Sequence, residues 1–133
     1  MTPHPDLTRN QSLVLGVLRQ AQAPRSAYDI LDGLRSEGLR APLQIYRALD
    51  KLLEMGLVHR LESLNAFVAC TDPHDHEGHA HGTTAFAICE DCGSVTEFHD
   101  DTIDGRLTAW QKSRQFKPEK TTIEIRGRCR DCS

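Results

Sequence analysis

The chain has 133 residues, 38% hydrophobic and 26% charged, which suffices for one medium domain or two very small ones, and small cores need a metal or a second copy as a staple. No apolar stretch approaches the ~20 residues that cross a bilayer, and the start Met1-Thr2-Pro3-His4-Pro5-Asp6 has no basic start followed by an apolar run, so a cytoplasmic protein without a membrane partner is expected. The net charge of −3 hides an asymmetry: residues 1–61 carry eight Lys/Arg against six Asp/Glu, residues 62–133 eight against thirteen, so only the first part is suited to phosphate.

In chain order, Leu13, Val14, Val17 and Leu18 recur at helical spacing behind Thr8 or Asn10 as a cap. Ser26 precedes a second helix lined by Ala27, Ile30, Leu31 and Leu34, ending before Gly38. Pro42 opens a third, striped by Ile45, Leu49, Leu52 and Leu53 and stopped at Gly56. Leu57–Leu61 and Ala66–Cys70 read as strands joined by a turn at Ser63-Leu64-Asn65. Three helices followed by a hairpin make a winged helix-turn-helix. The stretch 72–83 holds His74, His76, His79 and His81 among Pro, Gly and acids, and reads as a hinge loop. Beyond it come strands at Thr84–Ile88 and Ser94–Phe98, a helix with Ile103, Leu107 and Trp110 on one face, and a strand at Thr121–Ile125. The expected class is α+β: a winged helix over 1–71, the His-rich loop over 72–83, and a small α/β dimerisation and metal-binding domain over 84–133.

Cys89-x-x-Cys92 and Cys129-x-x-Cys132 are the sharpest motif. Structural zinc takes four ligands in a tetrahedron, often all thiolates, and Cys-x-x-Cys supplies two sulfurs from one tight knuckle. Gly93 suits the turn that such a knuckle requires. A pair of disulfides conflicts with a reducing compartment. A dithiol redox motif needs one pair at a helix N-terminus, and both pairs here follow strands. The expectation is one structural zinc on Cys89, Cys92, Cys129 and Cys132, with the fifth cysteine, Cys70, left over.

In a winged helix the first turns of the third helix carry the base contacts. Gln44, Tyr46 and Arg47 are the polar side chains there, arginine pairing with guanine and tyrosine touching a thymine methyl or a phosphate. A lone arginine is also commonly a solvated surface residue, and periodicity does not separate the two.

Three stretches, Ile45-Tyr46-Arg47-Ala48-Leu49-Asp50-Lys51-Leu52-Leu53-Glu54-Met55-Gly56-Leu57-Val58-His59-Arg60, Ile88-Cys89-Glu90-Asp91-Cys92-Gly93-Ser94-Val95-Thr96-Glu97-Phe98 and Cys129-Arg130-Asp131-Cys132, resemble the ferric uptake regulator (Fur) family. The resemblance implies a dimer with a winged helix and an α/β dimerisation domain, and it places the family's DNA-contacting Tyr-Arg pair on Tyr46 and Arg47. Iron-responsive members carry a His-rich cluster just before the first knuckle, where this chain has Thr84, Ala85 and Phe86. The chain is more similar to the zinc uptake regulators. That likeness implies a regulatory zinc on His59, Cys70, Glu97 and a loop histidine, His81 or alternatively His79. Two imidazoles, one thiolate and one carboxylate also suit tetrahedral zinc on chemical grounds.

The function so implied is a zinc-responsive repressor that binds palindromic double-stranded operator DNA as a homodimer and controls zinc-uptake genes, with one structural and one regulatory zinc per chain. Two other readings stand beside it: a sensor of iron, manganese or peroxide on the same fold, and a zinc buffer or chaperone that binds no DNA. No catalytic residue and no small-molecule substrate is expected.

Overall fold

The computed structural model describes residues 7–21, 23–70 and 83–133. The chain divides into two compact units, Met1–His76 and Glu77–Ser133. Residues 72–82 of the expected hinge loop, with all four of its histidines, lie outside the described residues.

In the first unit, helices α1 (Arg9–Gln20), α2 (Ala27–Gly33) and α3 (Pro42–Glu54) precede strands β1 (Val58–Leu61) and β2 (Ala66–Ala69). Local chemistry fixes the helix starts. Thr8 and Ser26 are capping boxes: the Gln11 N–H donates to the Thr8 hydroxyl and the Asp29 N–H to the Ser26 hydroxyl, while Gln11 and Asp29 accept from the cap N–H groups. Burial follows the helical period. Val14, Leu15 and Leu18 of α1, Ile30 and Leu31 of α2, and Ile45, Ala48, Leu49 and Leu52 of α3 meet Leu57, Val58 and Phe67 of the hairpin in one core. β1 and β2 pair antiparallel, His59 opposite Val68, and Asn65 at φ 49° turns the chain between them.

One element was not expected from the sequence. Arg25 and Phe67 exchange backbone hydrogen bonds of 3.0 and 2.8 Å, so the segment between α1 and α2 adds one isolated bridge to β2 of the wing. This ties the wing to the helices through the backbone.

The second unit is a three-stranded sheet in the order β4-β3-β5, where β3 is Thr84–Cys89, β4 Val95–Phe98 and β5 Thr122–Gly127, with helix α4 (Asp101–Ser113) between β4 and β5. β3 runs antiparallel to β4 and parallel to β5. Parallel neighbours require a crossover, which α4 provides. Asp100 caps α4, its carboxylate accepting from the N–H groups of Thr102 and Ile103. The Ile103–Leu107–Trp110 stripe shares a face as the spacing requires, yet no α4 residue is buried. Trp110 is 54% exposed and Phe116 58%.

Leu52 is fully buried, and a Leu→Ala change in a packed core costs about 2–5 kcal/mol. Leu52→Ala is expected to lower the urea stability of the first unit by that amount, and a change under about 1 kcal/mol would contradict the packing described.

Candidate metal centres and the exposed face of the third helix

The four thiols of the second unit meet because of strand direction. β3 and β5 are parallel with Cys89 opposite Gly127, so both strands deliver the chain to the same edge of the sheet. The Glu90 N–H extends the pairing to Gly127 O at 2.8 Å. Each strand then turns back on itself in a knuckle. Gly93 at φ 79° closes the first, its N–H donating to Cys89 O, and the Cys132 N–H donates to Cys129 O in the second. The ligand atoms of Cys89, Cys92, Cys129 and Cys132 all lie within 4.8 Å of one another.

The spacing fits a metal. A tetrahedron with Zn–S of about 2.3 Å has an edge of about 3.8 Å, and Cys92 Sγ lies 3.8 Å from Cys129 Sγ. Among the described residues no cysteine is in a disulfide. The surroundings also favour anionic sulfur. The N–H groups of Cys92 and Cys129 both point at Cys89 Sγ from 3.4 Å, and they lower its thiol from 9.0 to about 6. The hydroxyl of Ser94, 3.3 Å from Cys92 Sγ, lowers Cys92 as well. Cys132 moves oppositely, pushed up to about 12 by the side chains of Cys129 and then Cys89. Clustered thiols cannot all ionise without a cation among them. The donor set fits structural zinc.

The other expected ligands fall in both units. In the first, the Cys70 N–H donates to Leu57 O at 2.8 Å, which continues the β1–β2 ladder by one pair. His59, two residues after Leu57, faces the same side and is therefore the diagonal neighbour of Cys70. Both are half-buried, and their ligand atoms lie within 4.8 Å. Glu97 belongs to the second unit, on β4 opposite Phe86. Its carboxylate sits 3.2 Å from His99 Nε2. Sequence reasoning passed over His99, although residues two apart along an extended chain share a face. His79 and His81 lie outside the described residues.

On α3, Tyr46 and Arg47 are exposed while Ile45 is buried, so the pair faces away from the core. Gln44 has a different duty: its Oε1 accepts from the N–H groups of Arg40 at 3.0 Å and Ala41 at 3.1 Å. Ala41, in the cap position, has no side-chain oxygen to offer, and Gln44 satisfies the helix entrance instead.

A winged helix presenting an exposed Tyr-Arg pair, together with a sheet unit that gathers four thiols, defines a class of protein: a DNA-binding regulator with a metal-binding unit. The chain belongs to the Ferric uptake regulator family, whose model matches residues 6–126. Within that family it is 36% identical over 127 residues to the zinc uptake regulation protein of Escherichia coli (strain K12), covering 95% of this chain and 72% of that protein. Among solved structures, holo XcZur is 39% identical with a TM-score of 0.82, covering 94% of this chain and 84% of the other. A zinc uptake regulator complexed with zinc and DNA is 35% identical with a TM-score of 0.83, covering 93% and 81%.

Protons and metal compete for the same sulfurs, and such sites contribute folding free energy directly. Stripping the metal with a strong chelator is expected to abolish amide-exchange protection in β3 and β5 while α3 keeps its own. Cys132→Ser should act in the same direction, and unchanged protection of β3 in the stripped protein would remove the quartet from its structural role.

Proposed function

We propose that the chain is a zinc-responsive transcriptional repressor that, as a zinc-loaded dimer, binds palindromic operator DNA and controls zinc-uptake genes. The observation that carries this reading is the likeness over 93% of the chain, at 35% identity and a TM-score of 0.83, to a zinc uptake regulator complexed with zinc and DNA. The locally positive first part of the sequence and the exposed Tyr46–Arg47 pair support α3 as the reading helix. The dimer is supported by the uncovered apolar residues of the second unit, Ile103, Trp110, Phe116 and Ile125, a pattern that marks an interaction surface.

In this reading residues 1–71 bind DNA, 72–83 form a hinge, and 84–133 dimerise and hold metal. Cys89, Cys92, Cys129 and Cys132 keep one zinc permanently as scaffold. His59, Cys70 and Glu97, completed by His81 or His79, hold a second, exchangeable zinc. When bound, zinc supplies a tetrahedral centre that accepts imidazole, thiolate and carboxylate together. His59 and Cys70, being on the wing, and Glu97, being on the sheet, thereby set the angle between the units. That angle decides whether the two reading helices of a dimer fit successive major-groove half-sites. Metal favours the DNA-competent arrangement only through its differential affinity, and operator DNA tightens the exchangeable metal by the same factor. The protein acts where DNA is, in the cytoplasm.

The test uses duplexes selected from a randomised pool by the zinc-loaded protein, with anisotropy read during a zinc titration. Affinity is expected to rise with zinc after the quartet is already filled, and Cys70→Ser to abolish that rise. Arg47→Ala should weaken binding to the selected duplex by about 1–3 kcal/mol, the worth of one bidentate base contact. Affinity should also fall steeply as salt rises. Binding that ignores zinc, or a Cys70→Ser protein that still responds, would sink the regulatory assignment.

A further inference from the structure

The Glu97 side chain is 3% exposed, an unusual place for a carboxylate unless charge or hydrogen bonds compensate it. His99 Nε2 lies 3.2 Å from one of its oxygens, Oε2. The same ring is held on its other side, Nδ1 lying 3.3 Å from the carbonyl oxygen of Thr83. Thr83 is itself anchored, its N–H donating to Asp104 Oδ1 at 2.9 Å, and Asp104 belongs to α4. A relay therefore runs from the crossover helix through the entrance of β3 and the imidazole to one carboxylate oxygen of Glu97. Both ring nitrogens thus lie within hydrogen-bond reach of an oxygen of the protein, Thr83 O on one side and Glu97 Oε2 on the other.

We propose that His99 is the positioning residue of the exchangeable zinc site, fixing the Glu97 carboxylate in the orientation in which it receives metal. This rests on the reading of Glu97 as a ligand. A carboxylate in a metal's first shell is itself hydrogen-bonded as a rule, and losing such an outer partner typically weakens metal binding by about 10–100-fold. His99 does not contribute a metal bond; its ring is occupied by two oxygens of the protein. It acts through Glu97 alone.

Zinc affinity of the exchangeable site can be measured on the full-length protein, quartet filled, by competition with a fluorescent chelator. Cobalt absorption then reports ligand number and type. His99→Ala should weaken the exchangeable site by about 10–100-fold and leave quartet occupancy intact. His99→Gln should recover most of that loss, because its amide N–H reaches where Nε2 stood. His99→Asn, which reaches only the Nδ1 position toward Thr83, should not. In a Glu97→Gln background, His99→Ala should cost nothing further. If His99→Ala binds zinc like the parent while Glu97→Ala is weakened, the positioning role is wrong and the ligand reading stands. If Glu97→Ala itself binds like the parent, both fall. A cobalt spectrum that loses a nitrogen ligand in His99→Ala, with no recovery in His99→Gln, makes the residue a direct ligand and also overturns the proposal.

Discussion

The parallel pairing of β3 with β5 is the constraint on which the second unit depends. Antiparallel partners would send Cys89 and Cys129 to opposite edges of the sheet, some six residues apart along the strands. With Cys89 opposite Gly127, the two knuckles emerge side by side, and four sulfurs converge with little further demand on the backbone. The requirement works in both directions. Among the described residues this unit has three strands and one helix, and the helix has no buried residue, so the core is meagre, and the proposed zinc at the sheet's edge would compensate where apolar area is short. The N–H groups aimed at Cys89 show that the knuckles favour anionic sulfur through their own backbone geometry.

The first unit is held together differently. Its core runs through all three helices and the hairpin, and its polar work lies at the helix entrances. Here stability and the proposed recognition share one short segment. Gln44 occupies the first turn of α3, the proposed reading helix, yet its oxygen is committed to the Arg40 and Ala41 N–H groups. Tyr46 and Arg47, two and three residues further on, carry no such duty at the helix entrance. The proposed contact surface and the helix start thus divide one short segment between them.

Much of this was legible in the sequence because it is local. Caps at Thr8 and Ser26, Pro42 at a helix start and the 3.6-residue spacing of Ile45, Leu49 and Leu52 are written within a few residues of the elements they define. The paired knuckles were legible because thiols at that spacing have few other uses. The Arg25–Phe67 bridge was not, since one isolated rung has no period to detect. The amphipathic stripe of α4 was readable as a face, but a stripe tells which side is apolar and nothing about what lies over it. His99 escaped because a single histidine near a single glutamate is common; only the Thr83 carbonyl on its other side makes the arrangement specific, and that contact spans sixteen residues.

The convergence of β3 and β5 also imposes an order of events on the growing chain. The first unit uses contacts that close by residue 70, so its core is complete while the rest is still being made. Cys89 and Cys92 then leave the ribosome long before Cys129 and Cys132. At about 5–20 residues per second, they wait roughly 2–8 s for their partners. During that interval β3 has only its hairpin neighbour, and two thiols stand without the pair that they meet in the folded sheet. With zinc on the quartet as proposed, translation speed and the supply of metal near the ribosome would bear on how much of the second unit matures, and the N-terminal unit is ready before that contest begins.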